Sequence, residues 1–202
     1  MSQSEGKLAA LILAAGASRR MGSPKALLRW EKEAVLDTLI GKLRACCDPV
    51  VVVLGHHAGE IRAGMSRAAQ ALITLNPGPE RGQLSSLQCG LAAMPAACGV
   101  MFTPVDYPAM REETIRLLAE TFLSKAHPRP VVAPRCGGRS GHPVVLPSWL
   151  WEEFARETGT ARDVLRRHRG ATVYCDVTDP GVLGDMDTHE DYRKLLEAAG
   201  LA

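Results

Sequence analysis

A stretch of small and basic residues near the start of the chain has the composition of an anion-binding loop. It contains Gly16 and Gly22, which let backbone amides approach a phosphate closely, and Arg20 and Lys25, which add fixed positive charge. The spacing matches neither the dinucleotide-binding fingerprint nor the Walker P-loop. These residue types favour binding of a polyphosphate, and the alternative is an ordinary turn between a strand and a helix whose charges are solvated.

Aspartates in the second half of the chain are candidate ligands for a divalent cation. Asp106 follows a short apolar run and lies between two prolines. A carboxylate there could hold Mg²⁺ on the phosphates of a nucleoside triphosphate, or it could cap the helix that follows. Asp185 and Asp187 precede the last predicted helix. We select Asp187 as the second ligand, although Asp185 could exchange roles with it and either could cap that helix.

The predicted elements place these residues at one edge of a sheet. Short apolar runs predict buried strands, and apolar residues at i, i+3 and i+4 predict amphipathic helices between them. The predicted strands are 7–13, 50–54, 71–75, 99–103, 131–133, 143–146 and 172–177, and the predicted helices are 34–46, 58–67, 85–94, 111–124, 149–156, 161–168 and one from 188. The polar stretch 135–142 could be a hairpin or a loop facing an acceptor.

This alternation predicts one α/β domain over residues 1–202, with residues 1–6 as a flexible N-terminus. We expect a Rossmann-like three-layer sandwich with a mainly parallel sheet and helices on both faces. Ligands bind at the carboxyl ends of the strands in such folds, which is where the basic loop and Asp106 must lie.

Composition narrows the class of protein. Lys and Arg total 24 against 22 Asp and Glu, and aromatic residues make up only 4% of the chain, so nucleic-acid binding is not expected. The apolar runs are shorter than the roughly 20 residues that cross a bilayer, and the first residues lack the pattern of a secretory signal. Six cysteines without a C-x-x-C pair indicate reduced thiols. We therefore expect a cytoplasmic protein without a membrane partner.

Several motifs resemble those of a known family. The loop Leu13-Ala-Ala-Gly-Ala-Ser-Arg-Arg-Met-Gly22, followed by Lys25, is similar to the signature of the MobA-like nucleotidyltransferases. Further motifs follow in the family's order: Arg81-Gly-Gln-Leu-Ser-Ser-Leu87, Pro104-Val-Asp-Tyr-Pro108, Gly141-His-Pro-Val144 and Asp185-Met-Asp-Thr-His-Glu-Asp-Tyr192. The resemblance covers nearly the whole chain, and the form of the loop is similar to the branch that transfers cytidylyl groups to the molybdenum cofactor.

The resemblance implies a fold, a reaction and a set of site residues. The fold is that of the nucleotide-diphospho-sugar transferases, and the reaction is Mg²⁺-dependent transfer of CMP from CTP to a phosphorylated acceptor, molybdopterin in the nearest branch. A molybdoenzyme or its chaperone is the implied protein partner. The implied roles are catalytic for Arg20, Lys25 and Asp106; nucleotide-binding for Ala14, Ala15, Gly16, Gly22, Gln83, Ser85 and Ser86; acceptor-binding for Gly141 and His142; and metal-binding for Asp106 and Asp187.

Alternatives remain open at this point. Ser85 and Ser86 could simply cap a helix, and His142 could be a structural hydrogen bonder. The chain could also be a sugar-phosphate or polyol-phosphate nucleotidyltransferase, or a non-catalytic chaperone that binds molybdopterin. We expect CTP to be preferred over GTP. The guanylyl-transferring relatives resemble Leu-Ala-Gly-Gly at this place, so they have glycine where this chain has Ala15. The methyl group of Ala15 narrows the slot for the base, which favours a one-ring pyrimidine.

Overall fold

A computed structural model describes residues 6–201. The segment predicted to be flexible is 1–6, so all of it except Gly6 lies outside the described residues. Its strands are β1 (Leu8–Ala14), β2 (Arg29–Trp30), β3 (Glu33–Ala34), β4 (Val50–Leu54), β5 (Leu72–Leu75), β6 (Gly99–Pro104), β7 (Val131–Cys136), β8 (Arg139–Ser140), β9 (Val144–Pro147) and β10 (Thr172–Asp176). Its α-helices are α1 (Val35–Arg44), α2 (Ala58–Gly64), α3 (Gln83–Ala92), α4 (Glu112–Leu123), α5 (Trp151–Arg156), α6 (Ala161–Arg167) and α7 (His189–Ala198).

The main sheet is mixed but mostly parallel, in the order β10-β7-β9-β6-β1-β4-β5, with β8 paired to β7. Strand β1 lies in the interior of the sheet, where it pairs in parallel with β4 on one side and with β6 on the other. Strand β9 runs antiparallel to both β6 and β7. Because β1 and β6 are parallel neighbours, their carboxyl ends open side by side at one edge of the sheet. The predicted α/β class with a mainly parallel sheet is confirmed.

The two faces of the sheet bury separate cores, which gives the three layers. All seven residues of β1 are buried, and successive side chains point to opposite faces. Ala10 and Ile12 pack with residues of α1 and α4, whereas Leu11 and Leu13 pack with residues of α3, α5 and α6. Gly90 lets α3 lie close to the sheet, because a Cβ there would be 2.4 Å from a methyl carbon of Leu11.

Most element boundaries differ from prediction by one or a few residues, two of these differences lie close to the site, and part of the polar stretch forms a hairpin. Helix α3 begins at Gln83, directly after Gly82 at φ +88°, and not at residue 85. Strand β6 continues through Pro104, because the fixed φ of proline is compatible with extended backbone. Strands β7 and β8 form an antiparallel hairpin whose turn, Gly137 and Gly138, has positive φ at both positions.

Within residues 6–201, no helix is long and apolar enough to cross a membrane.

Candidate active site

The basic loop follows β1 and closes on itself through Ser18. The Ser18 hydroxyl accepts a hydrogen bond from the Lys25 amide at 3.1 Å, and the Ser18 carbonyl accepts one from the Met21 amide at 2.9 Å. Met21 is almost fully buried and anchors the middle of the loop. Gly22 adopts φ +64° and makes the turn that leads to Lys25. The loop is therefore folded on its own contacts, and the roles of Ser18 and Met21 are ones that the sequence reasoning missed.

Strand β6 and the segment before α7 bring two carboxylates to this loop. Asp106 lies two residues beyond β6, and its carbonyl accepts a hydrogen bond from the Met186 amide at 3.0 Å. Met186 is fully buried, so it holds the adjacent Asp187 at the site while Asp185 is exposed. Neither Asp185 nor Asp187 caps α7, because Thr188 does so in a capping box with Asp191.

Lys25 links the two carboxylates. Its Nζ lies 2.7 Å from Oδ1 of Asp187 and 3.5 Å from Oδ2 of Asp106. Arg20 adds a second cation, with Nη2 2.7 Å from Oδ2 of Asp187. The chain thus brings together four residues that the sequence predicted for catalysis or metal binding, although they come from positions up to 167 residues apart.

Asp106 and Asp187 differ in their electrostatics. Burial raises the pKa of Asp106, and the Lys25 ammonium opposes that rise. The hydrogen bond from Lys25 lowers the pKa of Asp187, with a smaller contribution from Arg20. One oxygen of Asp106, Oδ1, is buried and has no hydrogen-bond partner among the described residues. A buried carboxylate oxygen without a donor is suited to binding a cation.

A cavity of about 450 Å³, which we name the loop cavity, opens beside these groups. The predicted residues that line it are Ala14, Ala15, Gly16, Arg20, Lys25, Gln83, Ser86, Asp106 and Asp187. Gly22 and Ser85 are not among its lining residues. Helix α3 begins at this cavity with Gln83, so the free amides of its first turn add a partial positive charge to the anion-binding character of the loop.

The two predicted serines lie inside α3 and cap nothing. Ser85 donates to the Gly82 carbonyl at 2.8 Å, and both hydroxyls accept from Nδ2 of the buried Asn76, at 2.8 Å for Ser85 and 3.0 Å for Ser86. Asn76 also accepts from the Gly78 amide at 2.9 Å. Asn76 therefore ties the loop after β5 to the start of α3, a role that the sequence reasoning did not identify.

Ala15 is buried, with an exposed fraction of 3%. Its methyl carbon lies on Gly55, where an added Cβ would be 2.8 Å from it, and its carbonyl accepts from the His56 amide. The methyl group thus presents little surface to the loop cavity. Any effect of Ala15 on base choice acts chiefly through the position of the loop backbone.

A second cavity of about 370 Å³, which we name the hairpin cavity, lies between the β7–β8 hairpin, β9 and α6. It contains the predicted acceptor residues Gly141 and His142, and it shares Gln83, Pro104 and Asp106 with the loop cavity. A Cβ on Gly141 would lie 1.9 Å from the Val182 carbonyl oxygen, so the absence of a side chain there is a packing requirement. Asp106 stands where the two cavities meet.

Aromatic and basic side chains line the hairpin cavity. The rings of Tyr107 and His142 lie 4.7 Å apart between centroids, and Arg162, Arg166 and Arg169 line another part of the wall. Burial lowers the pKa of His142 to about 4, so the imidazole is neutral at physiological pH. Burial also raises the pKa of Tyr107 to about 12, with a further rise from Asp106. Sequence reasoning missed Tyr107 and the three arginines.

Comparisons with known proteins agree with this geometry. The sequence profile described as MobA-like NTP transferase domain matches residues 10–173. The molybdenum cofactor cytidylyltransferase of Escherichia coli is 26% identical over 184 residues, which cover 90% of this chain and 92% of that protein. A molybdenum cofactor guanylyltransferase of Sinorhizobium fredii is 33% identical over 103 residues, which cover 51% of this chain and 47% of that protein.

Among solved structures, the crystal structure of Rv0371c from Mycobacterium tuberculosis superposes with a TM-score of 0.79 at 29% identity, covering 95% of this chain and 97% of that chain. The complex of that protein with manganese gives a TM-score of 0.75 at 26% identity, covering 95% and 99% respectively. The similarity therefore extends over almost the full length of both chains.

Proposed function

Because the chain belongs to the family of MobA-like NTP transferase domains, and is therefore a nucleotidyltransferase that uses an NTP, we propose that it transfers CMP from CTP to the phosphate of molybdopterin. The observation that carries this proposal is the pair of cavities that meet at Asp106. One cavity has a glycine-containing basic loop suited to a triphosphate, and the other is positioned for an acceptor. A group can pass between two bound substrates only where their sites meet, and the charged cluster stands there.

The proposed reaction is an in-line displacement. An acceptor phosphate oxygen forms a bond to the α-phosphorus, the bond from the α-phosphorus to the bridging oxygen breaks, and pyrophosphate leaves with the electron pair. Amides of the 15–25 loop, together with Arg20 and Lys25, stabilise negative charge that grows on the leaving group. Gln83 lines both cavities and is placed to orient the two substrates relative to each other.

Asp106 and Asp187 are the residues that would hold Mg²⁺. The free Oδ1 of Asp106 and the carboxylate of Asp187 fit a hard cation that prefers oxygen ligands. Among residues 6–201 there is no cluster of three or more His, Cys, Asp or Glu side chains that could form a complete protein site. Two carboxylates plus substrate phosphates is the usual arrangement for Mg²⁺ on a nucleotide. The bound ion supplies charge neutralisation for the phosphates.

The preference for cytosine rests on the Ala14-Ala15-Gly16 sequence and on the full-length similarity to a cytidylyltransferase. The test is pyrophosphate release with CTP or GTP and molybdopterin, on the wild type and on Ala15→Gly. We expect a higher kcat/KM for CTP and a smaller preference in the variant. Equal use of both nucleotides, or a preference for GTP, would defeat the cytidylyl proposal.

The same assay separates the alternatives. Pyrophosphate release with a sugar phosphate or polyol phosphate in place of molybdopterin would favour the sugar-phosphate or polyol-phosphate nucleotidyltransferases. Binding of molybdopterin without pyrophosphate release from any NTP would favour the non-catalytic chaperone.

A further inference from the structure

We propose that Arg162, Arg166 and Arg169 bind the negative charge of the acceptor, and that the hairpin cavity takes a phosphomonoester carried on a flat aromatic or heteroaromatic ring. This inference rests on the proposed function, because it assigns the acceptor to the hairpin cavity. It adds that residues outside the charged cluster at Asp106 recognise the chemical class of the acceptor.

The wall of the hairpin cavity carries an excess of positive charge. All three arginines line the hairpin cavity, and the only carboxylate among its lining residues is Asp106, at the junction with the loop cavity. In the described part of the chain Arg162 and Arg169 form no ion pair, and Arg166 has only a 3.5 Å pair with Asp163 that is open to solvent. An excess of guanidinium groups around a concave site attracts an anion, and planar guanidinium matches phosphate geometry.

The neighbouring arginine on the same helix provides a contrast. Arg167 forms ion pairs within the protein, with Glu153 at 2.7 Å and with Glu157. These pairs join α6 to α5 and to the residue that follows α5, and Arg167 is not among the residues that line the hairpin cavity. Arg162 and Arg166, four residues apart, lie on one face of α6, and Arg169 follows in the next turn. Helix α6 and the turn after it thus contain one arginine paired within the fold, Arg167, and three that line the cavity, Arg162, Arg166 and Arg169.

The shape and polarity of the remaining wall indicate the ring. Tyr107 and His142 stack in a tilted pair, and His142 also contacts the edge of Phe102, with ring centroids 5.4 Å apart. Tyr174, Val144 and Leu165 also line this cavity. Aromatic and aliphatic walls with one charged side favour a flat ring that bears an anionic group.

Arg162 lines the hairpin cavity together with Tyr107 and Asp106, and Asp106 also lines the loop cavity. A phosphate bound to Arg162 would therefore lie in the same cavity as the residue where the two cavities meet. Arg166 and Arg169 line this cavity as well, and their positive charge attracts the incoming acceptor.

The first test measures binding without turnover. The probe is phenyl phosphate, titrated by calorimetry into the wild type, into Arg162→Ala, into the triple variant with Arg166→Ala and Arg169→Ala, and into Arg20→Ala. We expect about a tenfold or greater loss of affinity in Arg162→Ala, a larger loss in the triple variant, and retained affinity in Arg20→Ala. Loss in Arg20→Ala alone, or equal affinity in all four proteins, would overturn the inference.

The second test separates this inference from the proposed function. In the pyrophosphate assay, the arginine variants should raise KM for molybdopterin while leaving KM for CTP unchanged, and Arg156→Ala, a solvent-exposed arginine on α5, should change neither. Turnover with an unchanged KM for molybdopterin would reject the arginine site and leave the proposed function standing. Absent turnover together with the expected loss of phenyl phosphate binding would reject the proposed function and leave the anion site standing.

Discussion

The Lys25 ammonium is shared by two carboxylates that are also the candidate metal ligands. With a side chain only 12% exposed, it lies close to Asp187 and within 3.5 Å of Asp106. It thereby neutralises carboxylates that would otherwise repel each other in a partly buried site. A divalent cation and Lys25 would compete for the Asp187 carboxylate, so triphosphate and metal binding should be linked through this one side chain.

The competition gives a prediction for Lys25→Met. Without nucleotide, the variant should bind Mn²⁺ more tightly than the wild type, because the carboxylates lose their internal cation. The same variant should bind CTP about tenfold to a hundredfold more weakly than the wild type does, because a charge-assisted phosphate contact is lost. Calorimetry with each ligand measures both effects, and Lys7→Met, on the exposed pair with Asp48, is the control. Unchanged Mn²⁺ affinity would show that Lys25 does not occupy the cation's position.

Asp106→Asn should separate activity from stability. We expect transfer to fall by about 10² to 10³, the usual cost of losing one electrostatic stabiliser. Burial raises the pKa of Asp106, so its ionised form opposes folding, and any stability it contributes is present at acidic pH and lost as pH rises. At pH 7 the variant should therefore melt at or above the wild-type temperature. Half of wild-type kcat at saturating Mg²⁺ would reject the assignment.

Asp187→Asn should lower both the transfer activity and the stability of the fold. Lys25 lowers the pKa of Asp187, so its charge stabilises the fold above the normal carboxyl pKa, and that stability is lost as pH falls. Asp185→Asn, two residues away and exposed, should leave transfer and melting temperature nearly unchanged. Activities and thermal melts at pH 7 compare the two variants. A larger loss of activity in Asp185→Asn would identify Asp185 as the second ligand.

At the scale of elements, the start of α3 is fixed by a buried polar network. Asn76 connects the loop after β5 to Ser85 and Ser86, and Ser85 donates back to the Gly82 carbonyl. Gly82 and Gln83 line the loop cavity on the same segment. The network therefore sets the position of the helix terminus that lines the loop cavity, because buried polar groups that are fully paired resist displacement.

The two serines should respond differently to substitution. Ser85→Ala should destabilise the fold by about 1–3 kcal/mol, because it leaves buried polar groups unpaired, without a direct effect on nucleotide contacts. Ser86→Ala, at a residue that lines the loop cavity, should raise KM for CTP. Urea denaturation and steady-state kinetics measure the two effects. The reverse pattern, with a KM change confined to Ser85→Ala, would contradict this division of roles.

At the scale of the molecule, residues 179–187, between β10 and α7, bring Asp187 to the site. We name them the C-terminal segment. Buried Asp179 accepts from the Arg111 amide and the Thr114 hydroxyl, both at 2.8 Å, which attaches the segment to the start of α4. The Val182 carbonyl then accepts from the His142 amide at 2.9 Å. This path carries Asp187 to Lys25, so both cavities depend on the docking of one segment.

The neutral state of His142 predicts a pH dependence of stability. Because burial lowers its pKa to about 4, His142 takes up a proton on unfolding, so stability is full above about pH 6.5 and decreases as pH falls toward 4. Between pH 7 and 5 the loss should be roughly 2 kcal/mol. Urea denaturation at both pH values measures it. His142→Gln should remove the dependence and His127→Gln, on an exposed histidine, should not; an equal slope in all three proteins would reject it.

The sequence by itself determined the α/β class, most element positions and the edge that holds the site. These properties follow from local patterns: the buried strands are continuous apolar runs, and residues directly after β1 and β6 must lie at the carboxyl edge of a parallel sheet. The composition of the 13–25 loop also predicted anion binding, because glycine and basic residues act through their own chemistry wherever the loop lies.

Only the tertiary structure decided which distant groups meet. Lys25 and Asp187 are 162 residues apart, and their contact depends on the path of the C-terminal segment, which no local pattern encodes. The same holds for the contacts of Asn76 with the two serines, and for the fact that Asp187 contacts Lys25 while Asp185 is exposed. Arg162, Arg166 and Arg169 have the same residue type as Arg167, and only the structure shows that the first three line the hairpin cavity while Arg167 pairs with Glu153.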